Sequence, residues 1–316
     1  MTYLGPRASR PPGARSAPRL LAGPARIAVN GVHYAVRRWG AGPPLVLLHG
    51  FTGSSLLWES HAAAFAACFD TIAVDLLGHG SSAAPDDPAR YGMAQTVADL
   101  AAVLDSLRLE RTALLGYSMG GRAALALAIE QPARVSALVL EGASPGIADG
   151  AERAARVAAD AALARRIERD GVTAFVDAWL AQPLFASQAR LDPRTRAAAR
   201  AQRLTNCAAG LAASLRGLGS GAQPSYWQRL HTLAVPTLLL AGAHDAKFQA
   251  LARAMQERIP DATLRIIADA GHATHLEQPR AFQGAVLSFL SPAIAFAATA
   301  ARSGAAALPG PSTTED

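Results

Sequence analysis

Thr112 to Leu115 is a short apolar run that ends in Gly116-Tyr117-Ser118-Met119-Gly120, and Gly121 to Gln131 follows with helical periodicity. A serine between glycines at a strand-to-helix corner constrains the chain severely. The turn is so sharp that the serine takes strained dihedrals, and a side chain at either glycine collides with neighbouring backbone. Such a corner lifts the hydroxyl above the end of a strand and needs a sheet whose strands alternate with helices. An ordinary glycine-rich turn shares the bare pattern, so the rest of the chain must supply what a reactive serine requires.

The alternation is present. Ile27-Ala28-Val29, the Asn30-Gly31 turn and Val32 to Trp39 read as an opening hairpin. Apolar runs follow at Leu45 to Leu48, Thr71 to Val74, Thr112 to Leu115, Ala137 to Leu140, Thr237 to Leu240 and Leu264 to Ile267. Each is short and ends at a polar or glycine-rich corner, as strands buried on both faces do. Helical stretches separate them at Ala94 to Leu107, Gly120 to Gln131, and Ala250 to Arg258 before Pro260. The expected fold is α/β, with a mostly parallel, doubly wound sheet.

The alternation fails from about Ala148 to His231, where Ala/Arg-rich helical segments run on without an apolar strand. Residues 148–231 are therefore expected as a helical cap inserted into a core formed by 27–147 and 232–290. Residues 1–26, with five arginines, five prolines and no acid, and the Ala/Gly/Pro/Ser-rich 291–316 have the composition of disordered extensions.

A serine hydroxyl reacts only if a histidine takes its proton and a carboxylate fixes that histidine's tautomer. At a corner of this type the partners follow in the order acid, then histidine. Asp245 lies just after the Thr237 to Leu240 strand and His272 just after Leu264 to Ile267, both at C-terminal strand ends where open α/β sheets build their sites. The candidate triad is Ser118, Asp245 and His272. His244 would point elsewhere from the same loop, and His275 falls on the helix expected after His272. His33, His61 and His231 lie outside strand ends and suit surface or loop roles. Asp269 could replace Asp245 only if its loop bent back, and Asp75 better braces the Gly78-His79-Gly80 turn. An oxyanion needs two converging N–H donors. Met119, after the serine, supplies one, and Phe51 in Leu47-Leu48-His49-Gly50-Phe51 supplies the other, with His49 as a brace of that loop.

Composition excludes several classes. The formal charge of +6 is concentrated in residues 1–26, while 27–290 carries 24 basic and 22 acidic side chains, so there is no basic stripe for nucleic acid. Of the basic residues 29 are Arg and one, Lys247, is Lys, a bias that fits genomic base composition. Cys68 and Cys207 form neither a disulfide framework nor a metal cluster, and a reducing cytoplasm suits them. No segment has the apolar length of a signal peptide core or a membrane span. No cofactor, metal or membrane partner is expected.

On His49-Gly50-Phe51, Asp75 to Gly80, the Ser118 corner, Gly242 to Asp245 and Gly271-His272, residues 27–290 resemble the α/β-hydrolase superfamily. Within it, Tyr117 to Arg122, Glu141 to Gly146, Trp179 to Phe185, Gln223-Pro224 and Asp245 to Phe248 resemble the pyruvate-eliminating lyases of menaquinone biosynthesis. The resemblance implies a small polycarboxylate substrate gripped by arginines, since a guanidinium holds a carboxylate bidentately. It assigns substrate contacts to Arg122, Arg156, Arg203, Tyr117 and Trp179. The same triad could serve an ester, lactone or carbon–carbon bond hydrolase, or persist in a ligand receptor.

Overall fold

The computed structural model describes residues 24–291. The two expected disordered extensions lie largely outside that range, with one correction: Ala25 and Arg26 already belong to a strand. Eight strands, β1 (Ala25–Val29), β2 (Val32–Trp39), β3 (Pro44–Leu48), β4 (Asp70–Val74), β5 (Thr112–Tyr117), β6 (Val135–Glu141), β7 (Thr237–Gly242) and β8 (Ala262–Ile267), form one sheet in the order β1-β2-β4-β3-β5-β6-β7-β8. The β1–β2 and β2–β4 pairs are antiparallel and all others parallel. The hairpin turn is built on Asn30 (φ 47°) and Gly31 (φ 79°), the left-handed pair that matches strand twist.

The reason for the layering is visible strand by strand. Side chains alternate across a strand, and here both faces are apolar. Val46 and Leu48 of β3, Leu114 of β5, Leu138 and Leu140 of β6 and Leu239 of β7 join one cluster. Leu45 and Leu47, Ala113 and Leu115, Ala137 and Val139, and Leu238 and Leu240 join the other. The first face is covered by α2 (Met93–Ser106), α3 (Met119–Glu130) and α7 (Ala246–Gln256), the second by α1 (Glu59–Ala66) and a helix over 279–291. Sequence patterning overlooked α1 and 279–291. It also treated β8 as doubly buried, whereas β8 has one neighbour and keeps Arg265 exposed. His61, expected at the surface, is buried between Trp58, Phe65 and Phe282, because α1 turns it onto the sheet.

Between β6 and β7 lie α4 (Gly150–Leu180), α5 (Pro193–Arg203) and α6 (Ala208–Leu218). Asp149 caps α4 and Asp192 caps α5, each accepting from a backbone N–H three residues on. α4 breaks at Gly171, whose φ of 77° suits glycine. The cap coheres through one seam, in which Ala164, Ile167, Phe175 and Val176 of α4 meet Leu211, Ala212 and Leu215 of α6. No helix among the described residues is long and apolar enough to cross a membrane.

Candidate active site

Ser118 sits at φ 50°, ψ −107°, between the last residue of β5 and the first of α3. The flanking glycines explain why the chain tolerates this. A Cβ on Gly120 would overlap the Leu48 and His49 carbonyl oxygens, and one on Gly116 would overlap Gly120 and Gly121. The strained residue is held by its own N–H, which donates to the Glu141 carbonyl oxygen at 2.8 Å. Its hydroxyl reaches His272 Nε2 at 3.2 Å, and His272 Nδ1 lies 2.8 Å from Asp245 Oδ2. With Nδ1–H donated to the carboxylate, Nε2 is left to accept the serine proton. The other Asp245 oxygen accepts the Phe248 N–H and caps α7, which fixes the carboxylate. Asp245 and His272 are buried, while Ser118 opens onto a cavity.

The loop after β3 meets this corner edge-on: a Cβ on Gly50 would come 3.4 Å from the Ser118 Cβ. His49 sets the loop's direction. Its Nε2 accepts the Leu76 N–H at 2.9 Å, so Nδ1–H donates to the Gly50 carbonyl at 2.8 Å. Burial lowers the His49 pKa to about 4, which keeps the ring neutral. The Gly50 carbonyl also accepts from the Gly53 N–H. A trans peptide places N–H opposite C=O, so the Phe51 N–H is turned away from His49. Met119 is the first residue of α3, where a helix leaves its N–H without an intrahelical partner. Phe51 and Met119 both line the cavity with Ser118. Asp75 accepts from the Ser55 and Ser81 N–H groups, bracing the turn after β4 against the loop after β3.

The cavity has a volume of about 1360 Å³ and runs between sheet and cap. Phe51, Trp179 and Phe248 give it aromatic walls, with Trp179 edge-on to Phe51 at 5.5 Å and Phe248 at 4.5 Å from the His272 ring. One cation is set deep in it. Arg122, one turn into α3, is buried, and its Nη1 donates to the neutral Gln223 at 2.9 Å. Burial pushes its pKa down to about 10, partly opposed by Asp160.

Residues 43–279 match the alpha/beta hydrolase fold family. A Bacillus subtilis (strain 168) protein provisionally named 2-succinyl-6-hydroxy-2,4-cyclohexadiene-1-carboxylate synthase is 44% identical over 264 residues, 83% of this chain and 96% of that protein. The enzyme of that name from Serratia proteamaculans (strain 568) is 36% identical, covering 78% and 93%. A solved structure described as MenH from S. aureus aligns with a TM-score of 0.79 and 35% identity, covering 82% of this chain and 98% of that one. The chain belongs to this synthase family, within the α/β-hydrolase fold.

The family's expected substrate contacts separate on inspection. Arg122, Arg156 and Trp179 line the cavity, Arg156 with its charge already taken by Asp160 at 2.8 Å. Two residues are placed differently. Arg203 ends α5, is buried and donates from Nη1 to the Ala199 carbonyl at 2.7 Å; its charge acts on Tyr117, and it is not among the residues that line the cavity. Tyr117 is the last residue of β5, and strand alternation turns its ring to the opposite face from α3, where it packs 4.6 Å from His275 and 5.4 Å from His272.

A buried carboxylate behind the site escaped the sequence reading. Glu141, at the end of β6, accepts from Thr274 Oγ1 at 2.6 Å, from the His275 N–H at 2.9 Å, and from His275 Nδ1 at 2.8 Å. Burial works to raise its pKa, but the His275 charge and these hydrogen bonds outweigh it and hold the carboxyl below the usual range. Since its backbone oxygen also takes the Ser118 N–H, one residue ties the serine corner to α8 (Thr274–Glu277), which follows His272. The signal was available: a glutamate closing an otherwise apolar strand, with a histidine dismissed as merely helical.

Proposed function

We propose that the chain eliminates pyruvate from 2-succinyl-5-enolpyruvyl-6-hydroxy-3-cyclohexene-1-carboxylate, as a carbon–oxygen lyase that forms 2-succinyl-6-hydroxy-2,4-cyclohexadiene-1-carboxylate. The observation that carries this reading is Arg122, a buried guanidinium bonded to an uncharged amide inside the cavity that holds Ser118. A buried charge whose nearest counter-charge, Asp160, acts only at a distance is costly, and an arriving carboxylate supplies a direct partner with bidentate geometry. A neutral ester offers no such partner.

The locants give the bookkeeping. The ring proton on C2, next to the succinyl ketone, is removed; a C2–C3 double bond forms as the 3-ene moves to C4–C5, and the C5–O bond breaks. The Ser118 oxygen takes the proton while its own passes to His272 Nε2, and Asp245 holds the imidazolium that results. Charge spreading onto the succinyl ketone oxygen meets the Phe51 and Met119 N–H groups, each donor worth roughly 2.7–4 kcal/mol where such donors have been removed. The departing enolate of pyruvate takes a proton at carbon, and His272 returns to neutral. No covalent intermediate and no cofactor enters these steps.

The triad, the two donors and the three cavity contacts are proposed in these roles. Arg203 and Tyr117 act from behind the site, and the ligand is a small polycarboxylate. Two exposed, unpaired thiols at Cys68 and Cys207 support a reducing, cytoplasmic setting. The test is pyruvate release from the enolpyruvyl substrate, measured beside hydrolysis of p-nitrophenyl acetate. A kcat/KM for the substrate several orders of magnitude above that for the ester is expected. Ester turnover without pyruvate release would sink the lyase reading.

A further inference from the structure

The cavity wall carries four cations in two unlike pairs. Arg156 is neutralised one turn along α4 by Asp160 at 2.8 Å, and Arg166, half-exposed, shares Asp170 at 3.5 Å with Arg169, which holds both of that carboxylate's oxygens. Arg122 and Lys247 stand in no ion pair with any described residue: Arg122 bonds to Gln223, and the Lys247 ammonium lies 5.9 Å from the centroid of the Phe248 ring. That ring is the one packed on His272 at 4.5 Å. Lys247 is thus in the first turn of α7, two residues past Asp245, on the histidine side of the cavity. Arg122 comes from the helix after β5, and Lys247 from the helix after β7, with β6 between those strands.

We propose that Lys247 is the cavity's second anion-binding group, taking one carboxylate of the substrate beside His272 while Arg122 holds another. The proposal rests on the polycarboxylate reading and extends it to a position that sequence resemblance left without a role. Residue type supports it. In a chain with 29 arginines this is the single lysine. An ammonium on a flexible stem is a compact point charge with rotatable donors, whereas a guanidinium offers a fixed fork. Arg122 sits anchored by Gln223 and suits a stationary carboxylate; Lys247, at the exposed rim, can follow a carboxylate that shifts as the C–O bond breaks. Two charges held from different helices orient the ring so that its acidic C–H faces Ser118. The rival use of Lys247 is a latch to Asp149 or Glu152, which line the same cavity at the start of α4 and pair with no cation among the described residues.

The single lysine makes a direct test possible. Acetic anhydride has only Lys247 and the chain's N-terminal amine as amine targets, and mass spectrometry reads the two separately. The dicarboxylate product at four times its Kd is expected to slow Lys247 acetylation about fivefold, by simple occupancy, and to leave the N-terminal rate unchanged. Lys247→Gln is expected to raise KM for the enolpyruvyl substrate about tenfold, the worth of a charge-assisted hydrogen bond, with a smaller change in kcat. Lys247→Arg recovers part of the loss, and Glu152→Gln shifts KM by less than about twofold. Unprotected Lys247 at a product concentration that inhibits turnover, a Lys247→Gln KM equal to wild type, or a Glu152→Gln defect matching Lys247→Gln would each overturn the assignment. If wild-type protein releases no pyruvate from the substrate, the polycarboxylate reading falls first; if it does and Lys247→Gln behaves identically, only this inference falls.

Discussion

In the core, β3 to β7 are buried on both faces, and the polar groups at their C-terminal ends are bonded to one another. In the cap, α4 buries five of its 31 residues and meets α6 through a single apolar seam. The core's serine corner is strained, and its neighbours are themselves fixed: Gly116 and Glu141 by strand register, Gly120 by its close approach to the Leu48 and His49 carbonyls, and His272 by Asp245. The cap's arginines are mostly solvated or paired along their own helix. Chemistry therefore sits where the scaffold is over-determined, and the cap contributes walls to the cavity. Arg122 joins the two regions, since it belongs to the core and bonds to Gln223 on the segment that returns from the cap.

The sharpest way to break this contrast is at the triad. Ser118→Ala and His272→Ala are each expected to lower kcat for pyruvate release by on the order of 10³-fold or more, because the members act as a unit. Thermal unfolding of Ser118→Ala should stay close to wild type, since the hydroxyl faces the cavity and its loss opens no hole in the core. Activity within a few-fold of wild type after either substitution would remove the triad from the mechanism.

Packing gives the next effect. Phe65→Ala, in the cluster under α1, should cost about 3–5 kcal/mol of global stability in urea unfolding. Phe175→Ala removes a similar volume from the cap seam but should act locally, raising KM and exposing Arg165, Arg166 and Arg169 to trypsin while the main unfolding transition stays near wild type. Equal losses in the main transition would show that cap and core unfold as one.

pH tests the core alone. Burial lowers His49 and His61 to about 4 and His79 to about 3, with the charge of a neighbouring histidine adding to the shift in His61 and His79. Their folded-state values lie below the unfolded value of about 6.5, so the unfolded chain binds more protons between about 6.5 and 4, and stability falls as pH drops through that window. His61→Phe, which keeps the ring stack with Phe65, should flatten this slope by close to one proton, on the order of 3 kcal/mol by pH 4. An unchanged slope would show that His61 titrates normally. The smallest effect falls where core and cap meet. Arg122→Ala should lower the ratio of enolpyruvyl-substrate to p-nitrophenyl acetate turnover about 10- to 150-fold, and Arg122→Lys should restore only part of it. Equal losses on both compounds would make Arg122 a brace for α3.

Much of this was legible in the residues alone because it depends on local periodicity and local sterics. Buried strands announce themselves as apolar runs, the serine corner needs its glycines whatever surrounds it, and the acid and histidine appear in order at strand ends. His61 and Glu141 were misjudged or passed over because their partners are remote in sequence: Glu141 meets Thr274 and His275 across more than 130 residues, and His61 meets Gln283 across 222.

Sequence by itself thus determined the alternation of strands and helices, the position of the serine corner and the family of the chain. Tertiary structure decided which charges face the cavity and which are already neutralised. Arg122, Arg156 and Arg203 look alike as letters, yet one is buried against an amide, one is paired with Asp160 and one is folded onto its own helix. The physical reason is that a side chain's charge is felt only through the groups within a few ångströms of it, and those neighbours are chosen by the packing of cap on sheet.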